Sequence, residues 1–106
     1  MEKSRWSSKI FRKYFLIMKI KLELFGASRD LSNKDFLELN LKNKSSIKDL
    51  RETMIHYVDQ KFKGNENYKK IIETSAFCSE DNNIVSDSYQ ITKDQKIGII
   101  PPIGGG

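Results

Sequence analysis

The stretch Ile97-Gly98-Ile99-Ile100-Pro101-Pro102-Ile103-Gly104-Gly105-Gly106 closes the sequence and decides how we interpret the fold. Its first four residues lack polar alternation, a pattern typical of a strand that is buried on both faces of a sheet. The two prolines fix φ at about −65° and favour an extended course, which predicts a stiff stalk. Because glycine has no Cβ, the last three residues suit a narrow slot in another protein. We therefore predict a buried final strand followed by an exposed tail over residues 101–106.

The alternative for this ending is a frayed terminus, since glycine-rich ends are common in disordered tails. Two features of the sequence favour a structured exit instead. The apolar run passes into Pro101 without a polar linker. A proline also disfavours the α conformation for the residue before it, which here is Ile100. The chain is thus expected to stay extended from the strand into the stalk.

Composition and charge place the chain among single-domain globular proteins. The sequence has 106 residues, of which 38% are hydrophobic and 31% charged, and its net charge is +5. Residues 1–17 hold five basic residues and one acidic residue, so this segment accounts for +4 of the charge. Residues 18–106 are nearly neutral, whereas a nucleic-acid-binding domain usually carries a basic surface on its folded unit. We therefore predict no nucleic-acid partner.

The single Cys78 and the single His56 argue against several kinds of chemistry. One cysteine cannot form an intrachain disulfide, which fits a reducing compartment, and we expect a cytoplasmic location. One histidine cannot build a histidine-based metal cluster, and a Cys–His catalytic pair is not favoured. We predict no metal and no cofactor bound by this chain. No stretch approaches the roughly 20 apolar residues that span a bilayer, so no membrane partner is expected.

Residues 1–17 form a basic extension whose role stays open. The segment is rich in serine and contains four aromatic residues. These features are compatible with a targeting peptide or with a short segment that binds anionic lipid. We favour a simpler interpretation, in which the folded domain spans residues 18–106 and the extension is ancillary, with disorder as one alternative. No secretory signal is predicted, because the apolar stretch over residues 14–18 is too short and lacks a small-residue cleavage site.

Two segments alternate apolar and polar residues, which indicates strands with one buried face. The first runs over residues 19–25 and the second over residues 36–41. The segment between them, residues 26–34, is rich in turn-forming residues and is predicted to be a loop. The two strands are therefore expected to form a hairpin.

The middle of the chain shows helical periodicity. Ser45 or Ser46 is placed to cap the start of a helix, Asp49 falls in its first turn, and Gly64 is placed to end it. The apolar stripe consists of Ile47, Leu50, Met54, Val58 and Phe62. His56 lies off this stripe, so we interpret it as a solvated residue and not as a ligand.

The remaining elements complete an α+β pattern. A short helical piece over residues 65–72 is followed by predicted strands at residues 75–78, 84–85 and 96–100. The order is β-β-α-β-β(-β), with one main helix on one face of a mixed sheet, as in a ubiquitin-like β-grasp. In that fold the first and last strands lie side by side and parallel at the centre of the sheet. This position explains the apolar final strand and leaves the glycine tail exposed.

Three motifs carry a resemblance that covers residues 18–106. The ending PPIGGG has two prolines, an aliphatic residue, then Gly104, then the final Gly105 and Gly106. The segment FGASRDL at residues 25–31 follows the first strand, and SIKDL at residues 46–50 starts the helix. The chain thus resembles the small subunit of molybdopterin synthase, a family of ubiquitin-like sulfur carriers in which the position of Gly104 is variable. The extension 1–17 and the region 64–80 depart from the family pattern.

The resemblance implies chemistry at the end of the backbone. An adenylating enzyme similar to the ubiquitin-activating enzymes would consume ATP to convert the Gly106 carboxylate into an acyl-adenylate. A sulfur donor protein would then give a thiocarboxylate. The large subunit of molybdopterin synthase would accept the tail (Pro101, Pro102, Gly104 and Gly105), and the sulfur would pass to a cyclic pterin precursor in molybdenum cofactor biosynthesis. The chain itself would be the non-catalytic, sulfur-donating subunit of that complex.

Two other functions stay open at this stage. A ubiquitin-like protein modifier would carry the same ending and would be conjugated to a lysine through Gly106. A small RNA- or membrane-binding domain would use the basic N-terminal segment instead. That second alternative is weaker, because its signal is confined to residues 1–17.

A surface for the partner is predicted beside the tail. Phe25 follows the first strand out of phase with its buried set, and Ile103 lies beyond the last strand where no core remains. Both are candidates for an exposed apolar patch, and such patches often mark partner sites. Arg29 is expected to add a charged contact at the rim. The alternative for Phe25 is a core residue that caps the sheet.

Overall fold

The computed structural model describes residues 17–103; residues 1–16 and 104–106 lie outside the described part. The elements within it are β1 (Ile17–Leu24), a 3₁₀ helix (Gly26–Leu31), β2 (Phe36–Lys42), β3 (Ser45–Ser46), α1 (Ile47–Lys61), α2 (Glu66–Thr74), β4 (Ala76–Cys78), β5 (Ile84–Val85), β6 (Gln90–Ile91) and β7 (Gln95–Ile100). The first described residue, Ile17, already belongs to β1. The predicted extension over residues 1–17 therefore falls almost wholly outside the described residues.

The main sheet is mixed and has five strands in the order β2-β1-β7-β4-β5. β1 and β7 pair in parallel at its centre, while β1 with β2, β4 with β7 and β4 with β5 are antiparallel. This confirms the predicted parallel pairing of the first and last strands. Ile97, Gly98 and Ile99 are buried between β1 and β4, but Ile100 is exposed on the outer face of the sheet. The prediction that this apolar run is buried on both faces was therefore wrong at its last residue.

The core lies between the sheet and α1. Met18, Ile20, Leu22 and Leu24 of β1 are buried, and the residues between them face the opposite side of the sheet. From α1 the core receives Ile47, Leu50, Met54 and Val58. Burial of each aliphatic side chain of this size contributes about 1.5–3 kcal/mol relative to exposure. Phe62, the last residue of the predicted stripe, is the C-cap and is partly buried.

The start of α1 is a capping box, as its sequence predicts. The Ser46 Oγ accepts a hydrogen bond from the Asp49 N–H at 3.2 Å, and the Asp49 carboxylate accepts one from the Ser46 N–H at 2.8 Å. These bonds satisfy backbone donors that the first turn leaves without a partner. The bond from the Ser46 N–H, together with one from the Ser46 hydroxyl at 3.1 Å, favours the ionised carboxylate, so the pKa of Asp49 is lowered from its ordinary value. Gly64 follows the helix with φ +70°, as expected of a residue that ends it.

One prediction about the connections was wrong, and one pairing was missed. The segment after β1 is not an open loop, because residues 26–31 form a 3₁₀ helix that buries Leu31. The Ser28 Oγ closes this turn by donating to the Phe25 carbonyl at 2.6 Å and accepting from the Phe25 N–H at 3.0 Å. The structure also has a second, two-stranded sheet of β3 and β6, in which Ser45 lies opposite Ile91. A pairing between segments so far apart in the chain leaves no local pattern in the sequence.

Candidate functional site

The chain leaves the fold at Pro101. This residue is buried, so the predicted exposed tail over residues 101–106 was wrong at its first residue, which packs against the fold. Pro102 and Ile103 are exposed, and Ile103 is 98% accessible. The Pro101 ring lies against the 3₁₀ helix, with its Cγ and Cδ 3.9 Å from the place that a Cβ on Gly26 would occupy. Gly26 has φ +56°, a conformation that glycine adopts without strain. The stalk therefore starts from a fixed point beside the end of β1.

An exposed apolar surface lies on the face of the sheet that points away from the helices. We call it the outer-face patch and define it by Phe25, Ile84 and Ile100, together with Ala76, Cys78 and Gly98 of β4 and β7. Phe25 is 45% accessible, Ile84 64% and Ile100 37%. Ile100 directly precedes Pro101 in the chain, so the patch is continuous with the start of the stalk.

The position of Phe25 depends on a glycine in the neighbouring strand. A Cβ added to Gly98 would lie 3.2 Å from Cε2 of Phe25 and 3.7 Å from Cβ of Cys78. A carbon at 3.2 Å is closer than van der Waals contact allows, so the absence of a side chain at Gly98 lets the aromatic ring lie across β7. Phe25 thus extends the sheet face instead of capping the core.

Two exposed ion pairs involve the outer face of the sheet and the 3₁₀ helix that follows β1. Lys96 and Glu23 lie 3.2 Å apart on β7 and β1, and Arg29 lies 4.0 Å from Asp35. The side chains of Arg29 and Asp35 are 63% and 89% accessible, so their attraction is weakened by solvent. Such groups influence the encounter with a partner more than the final affinity.

The structure brings some of the predicted site residues together. Phe25 directly precedes Gly26, and the Pro101 ring lies beside Gly26, so both residues are close to the end of β1. Ile103 extends beyond the stalk, and Arg29 lies on the 3₁₀ helix paired with Asp35. Gly104, Gly105 and Gly106 fall outside the described residues. The role of all these residues in partner binding stays a prediction.

Of this patch the sequence analysis named only Phe25, and it missed the two other exposed large apolar residues, Ile100 and Ile84. Ile100 belongs to an apolar strand, and only the alternation of faces shows that it points outward while Ile97 and Ile99 point inward. That alternation was readable once the strand was placed at the centre of the sheet. Ile84 follows the Asp81-Asn82-Asn83 turn in a strand of two residues, which is too short to show a pattern.

The described residues offer few side chains that could bind a metal ion or react as a nucleophile. Among residues 17–103, no group of three or more histidine, cysteine, aspartate or glutamate side chains is arranged to hold a metal ion. Cys78 is a free, partly buried cysteine whose thiol hydrogen bonds to the Ser79 carbonyl at 3.5 Å. Over the same residues, no helix has the length and apolar character needed to span a membrane.

Comparison with solved structures shows that the chain has the ubiquitin-like β-grasp fold. The small archaeal modifier protein 1 from Methanosarcina acetivorans superposes with a TM-score of 0.53 at 23% identity, covering 85% of this chain and 98% of that one. A putative molybdopterin converting factor, subunit 1, from Pyrococcus furiosus gives 0.59 at 21% identity, covering 81% and 99%. The ubiquitin of Caldiarchaeum subterraneum gives 0.53 at 17% identity, covering 85% and 99%. No protein-family model and no curated protein matches the sequence.

Proposed function

We propose that this chain is a sulfur carrier, the small subunit of a molybdopterin synthase. The observation that supports the proposal most is the continuity of the outer-face patch with the stalk that begins at the buried Pro101. A partner that covers Phe25 and Ile100 would hold the start of the tail in a fixed direction. The resemblance of the ending PPIGGG to the family of sulfur carriers supports the same function.

The proposed reaction takes place on the Gly106 carboxylate. Its oxygen attacks the α-phosphate of ATP in the adenylating enzyme, releasing pyrophosphate and forming an acyl-adenylate. The terminal sulfur of a donor persulfide then attacks the acyl carbon and displaces AMP. A thiol of the donor system cleaves the resulting acyl disulfide, which leaves the thiocarboxylate. The large subunit then receives the tail, and the sulfur passes to a cyclic pterin precursor.

Conjugation to proteins is the second candidate function. It is favoured by the names of two structural neighbours, a modifier protein and a ubiquitin, which have the same fold. A modifier would use the same adenylate but would pass its acyl group to a lysine amine and form an isopeptide bond. The two candidates share the tail and the patch, and they differ in the nucleophile that receives the Gly106 carbonyl.

Intact-mass measurement distinguishes the two candidates. The full chain is incubated with an adenylating enzyme, ATP and a persulfide sulfur source, with a reaction lacking ATP as control. The sulfur carrier is expected to gain the mass difference between one oxygen and one sulfur. A product that is joined through Gly106 to a lysine, without any thiocarboxylate, would support the modifier. An unchanged mass under conditions in which the adenylating enzyme turns over a known carrier would contradict both.

The three predicted interface residues, Phe25, Ile103 and Arg29, should differ in their contribution to partner binding. We expect Phe25→Ala and Ile103→Ala each to weaken binding to the large subunit by about 1–3 kcal/mol, as for typical apolar hot spots. Arg29→Ala should weaken it less, because its exposed charge lies at the rim. Calorimetric titration of the three variants measures the affinities, and a thermal melt of each provides the control. If Phe25→Ala lowers the melting temperature but keeps its affinity, Phe25 serves the fold and not the interface.

A further inference from the structure

Strand β2 forms one outer edge of the main sheet and pairs with β1 on its other side. The Leu24 N–H donates to the Asp35 carbonyl at 2.9 Å, which fixes the alternation of the antiparallel ladder. Residues that bond to β1 recur at every second position along β2, namely Leu37, Leu39 and Leu41. The other residues of β2 alternate with these three and direct their backbone N–H and C=O groups away from β1. They are Phe36, Glu38, Asn40 and Lys42. An exposed edge of this kind can pair with another strand.

The side chains on this edge include one acidic and one basic residue at equal distances from Asn40. Glu38 and Lys42 lie on either side of Asn40, and within residues 17–103 neither charge has an ion-pair partner. An antiparallel pairing of two β2 strands centred on Glu38 would oppose two carboxylates, and one centred on Lys42 would oppose two ammonium groups. A pairing centred on Asn40 places Glu38 of each copy opposite Lys42 of the other. Opposite charges at directly facing positions stabilise an antiparallel pair.

The space beside the edge also fits a second strand. A groove of about 660 Å³ runs between the end of β2 and α1, and Leu41, Asn43, Thr53 and His56 are among the residues that line it. In the pairing centred on Asn40, the partly buried Leu37 of one copy faces Asn43 of the other, on the side of the sheet that carries α1. The groove would therefore receive an apolar side chain from the second copy.

We propose that the β2 edge is an interface between two copies of this chain. The two strands pair antiparallel about a twofold axis at Asn40, with two Glu38–Lys42 ion pairs, and join the two five-stranded sheets into one. Lysine on an edge strand usually discourages pairing, because it repels its own copy. Here the facing position holds Glu38, so the same charge favours one register. The stalk follows β7, and β1 separates β7 from the β2 edge. Pairing at this edge therefore leaves the outer-face patch and both tails of the dimer accessible to a partner.

Charge reversal tests the register of this interface. Sedimentation of the full chain over a wide range of protein concentration should show a monomer–dimer equilibrium, weak because the contact is small. Glu38→Lys and Lys42→Glu each place like charges opposite one another at two points, and each should raise the dimer dissociation constant by about tenfold or more. The double variant Glu38→Lys/Lys42→Glu restores both pairs and should return the constant close to that of the unchanged chain. Both residues are exposed, and thermal melts check that the variants fold.

Amide hydrogen exchange of the full chain tests the edge directly. The N–H groups of Glu38, Asn40 and Lys42 should become protected as the protein concentration rises, in parallel with the dimer. Asn40→Pro removes an N–H that points away from β1, so it should abolish the dimer and keep the fold. A chain that stays monomeric at the highest concentration overturns the proposal. Protection of Asn40 that does not depend on concentration also overturns it, because the edge would then be covered by another segment of the same chain.

Discussion

A chain that lacks Gly106 will fold normally but will not form a thiocarboxylate. The proposed reaction places the adenylate on the last carboxylate, and removal of one residue withdraws that group from the enzyme by the length of one peptide unit, about 3.3–3.6 Å. Reacting atoms must approach within about 3–3.5 Å, so a shift of this size is expected to abolish the reaction. One residue added after Gly106 should have the same effect. Intact-mass measurement of the sulfurated product compares these chains with the unchanged one.

Substitutions within the tail sharpen this prediction. Gly105→Val adds a branched side chain where the tail is expected to pass through a narrow slot, and it should abolish the reaction as well. Gly104→Val is the matched control, because position 104 corresponds to the variable residue of the family that the sequence resembles. The melting temperatures should stay unchanged, since Pro101 is the last buried residue of the described chain. Normal sulfuration of Gly105→Val would show that no narrow slot surrounds the tail.

The elements that could be predicted from the sequence are those whose causes are local. The capping box of Ser46 and Asp49 depends on residues three positions apart, and the stripe of α1 depends on spacings of three and four. The central place of β7 was predictable because an apolar run without polar alternation is typical of a central strand, although Ile100 is exposed on the outer face. Each of these signals is complete within a short segment of the chain.

The features that escaped prediction depend on residues that are distant in the sequence. The 3₁₀ helix buries Leu31 and is fastened by the Tyr57 hydroxyl, which donates to the Leu31 carbonyl at 2.9 Å from α1. Burial also raises the pKa of Tyr57 above its ordinary value. Likewise, β3 forms because Ser45 pairs with Ile91 of β6 in the second sheet. No local sequence pattern indicates these contacts, and the turn-forming residues of the segment 26–34 therefore predicted only a loop.

The candidate site was predictable to a similar extent. The two prolines and the three final glycines allowed the stalk and the tail to be predicted from the sequence. Phe25 was predicted to be exposed because it follows β1 out of phase with the buried residues of that strand. The patch around Phe25 depends on the strand order, which places Ile100 and Ile84 on the same face. Gly98 reads as an ordinary residue of an apolar strand, and only the structure shows the Phe25 ring lying across it.

No pattern in the sequence indicated that Arg51 stabilises the fold. Its Nη1 donates to the carbonyls of Ile72 at 2.7 Å and Ser75 at 2.9 Å, and its Nη2 donates to Asp87 at 2.7 Å. A further bond reaches the Glu73 carbonyl at 3.2 Å. The carbonyls at the end of a helix lack partners inside it, so one side chain of α1 caps the end of α2. The guanidinium also lies 4.8 Å from the ring centre of Phe77, which adds a cation–π contact.

Replacement of Arg51 by alanine should therefore lower the free energy of unfolding strongly, by about 2–4 kcal/mol. The variant loses several charged hydrogen bonds at once and leaves partly buried carbonyls without a donor. Arg51→Lys should recover only a part of the loss, because one ammonium group cannot reach the carbonyls and Asp87 in the planar arrangement of a guanidinium. Lys69→Ala, which removes the single 2.6 Å ion pair with the half-exposed Asp59, is the control and should have a smaller effect, because Arg51→Ala removes three further bonds to backbone carbonyls. Urea unfolding measures all three variants. A loss for Arg51→Ala no greater than that for Lys69→Ala would mean that water replaces the guanidinium and that α2 does not depend on this cap.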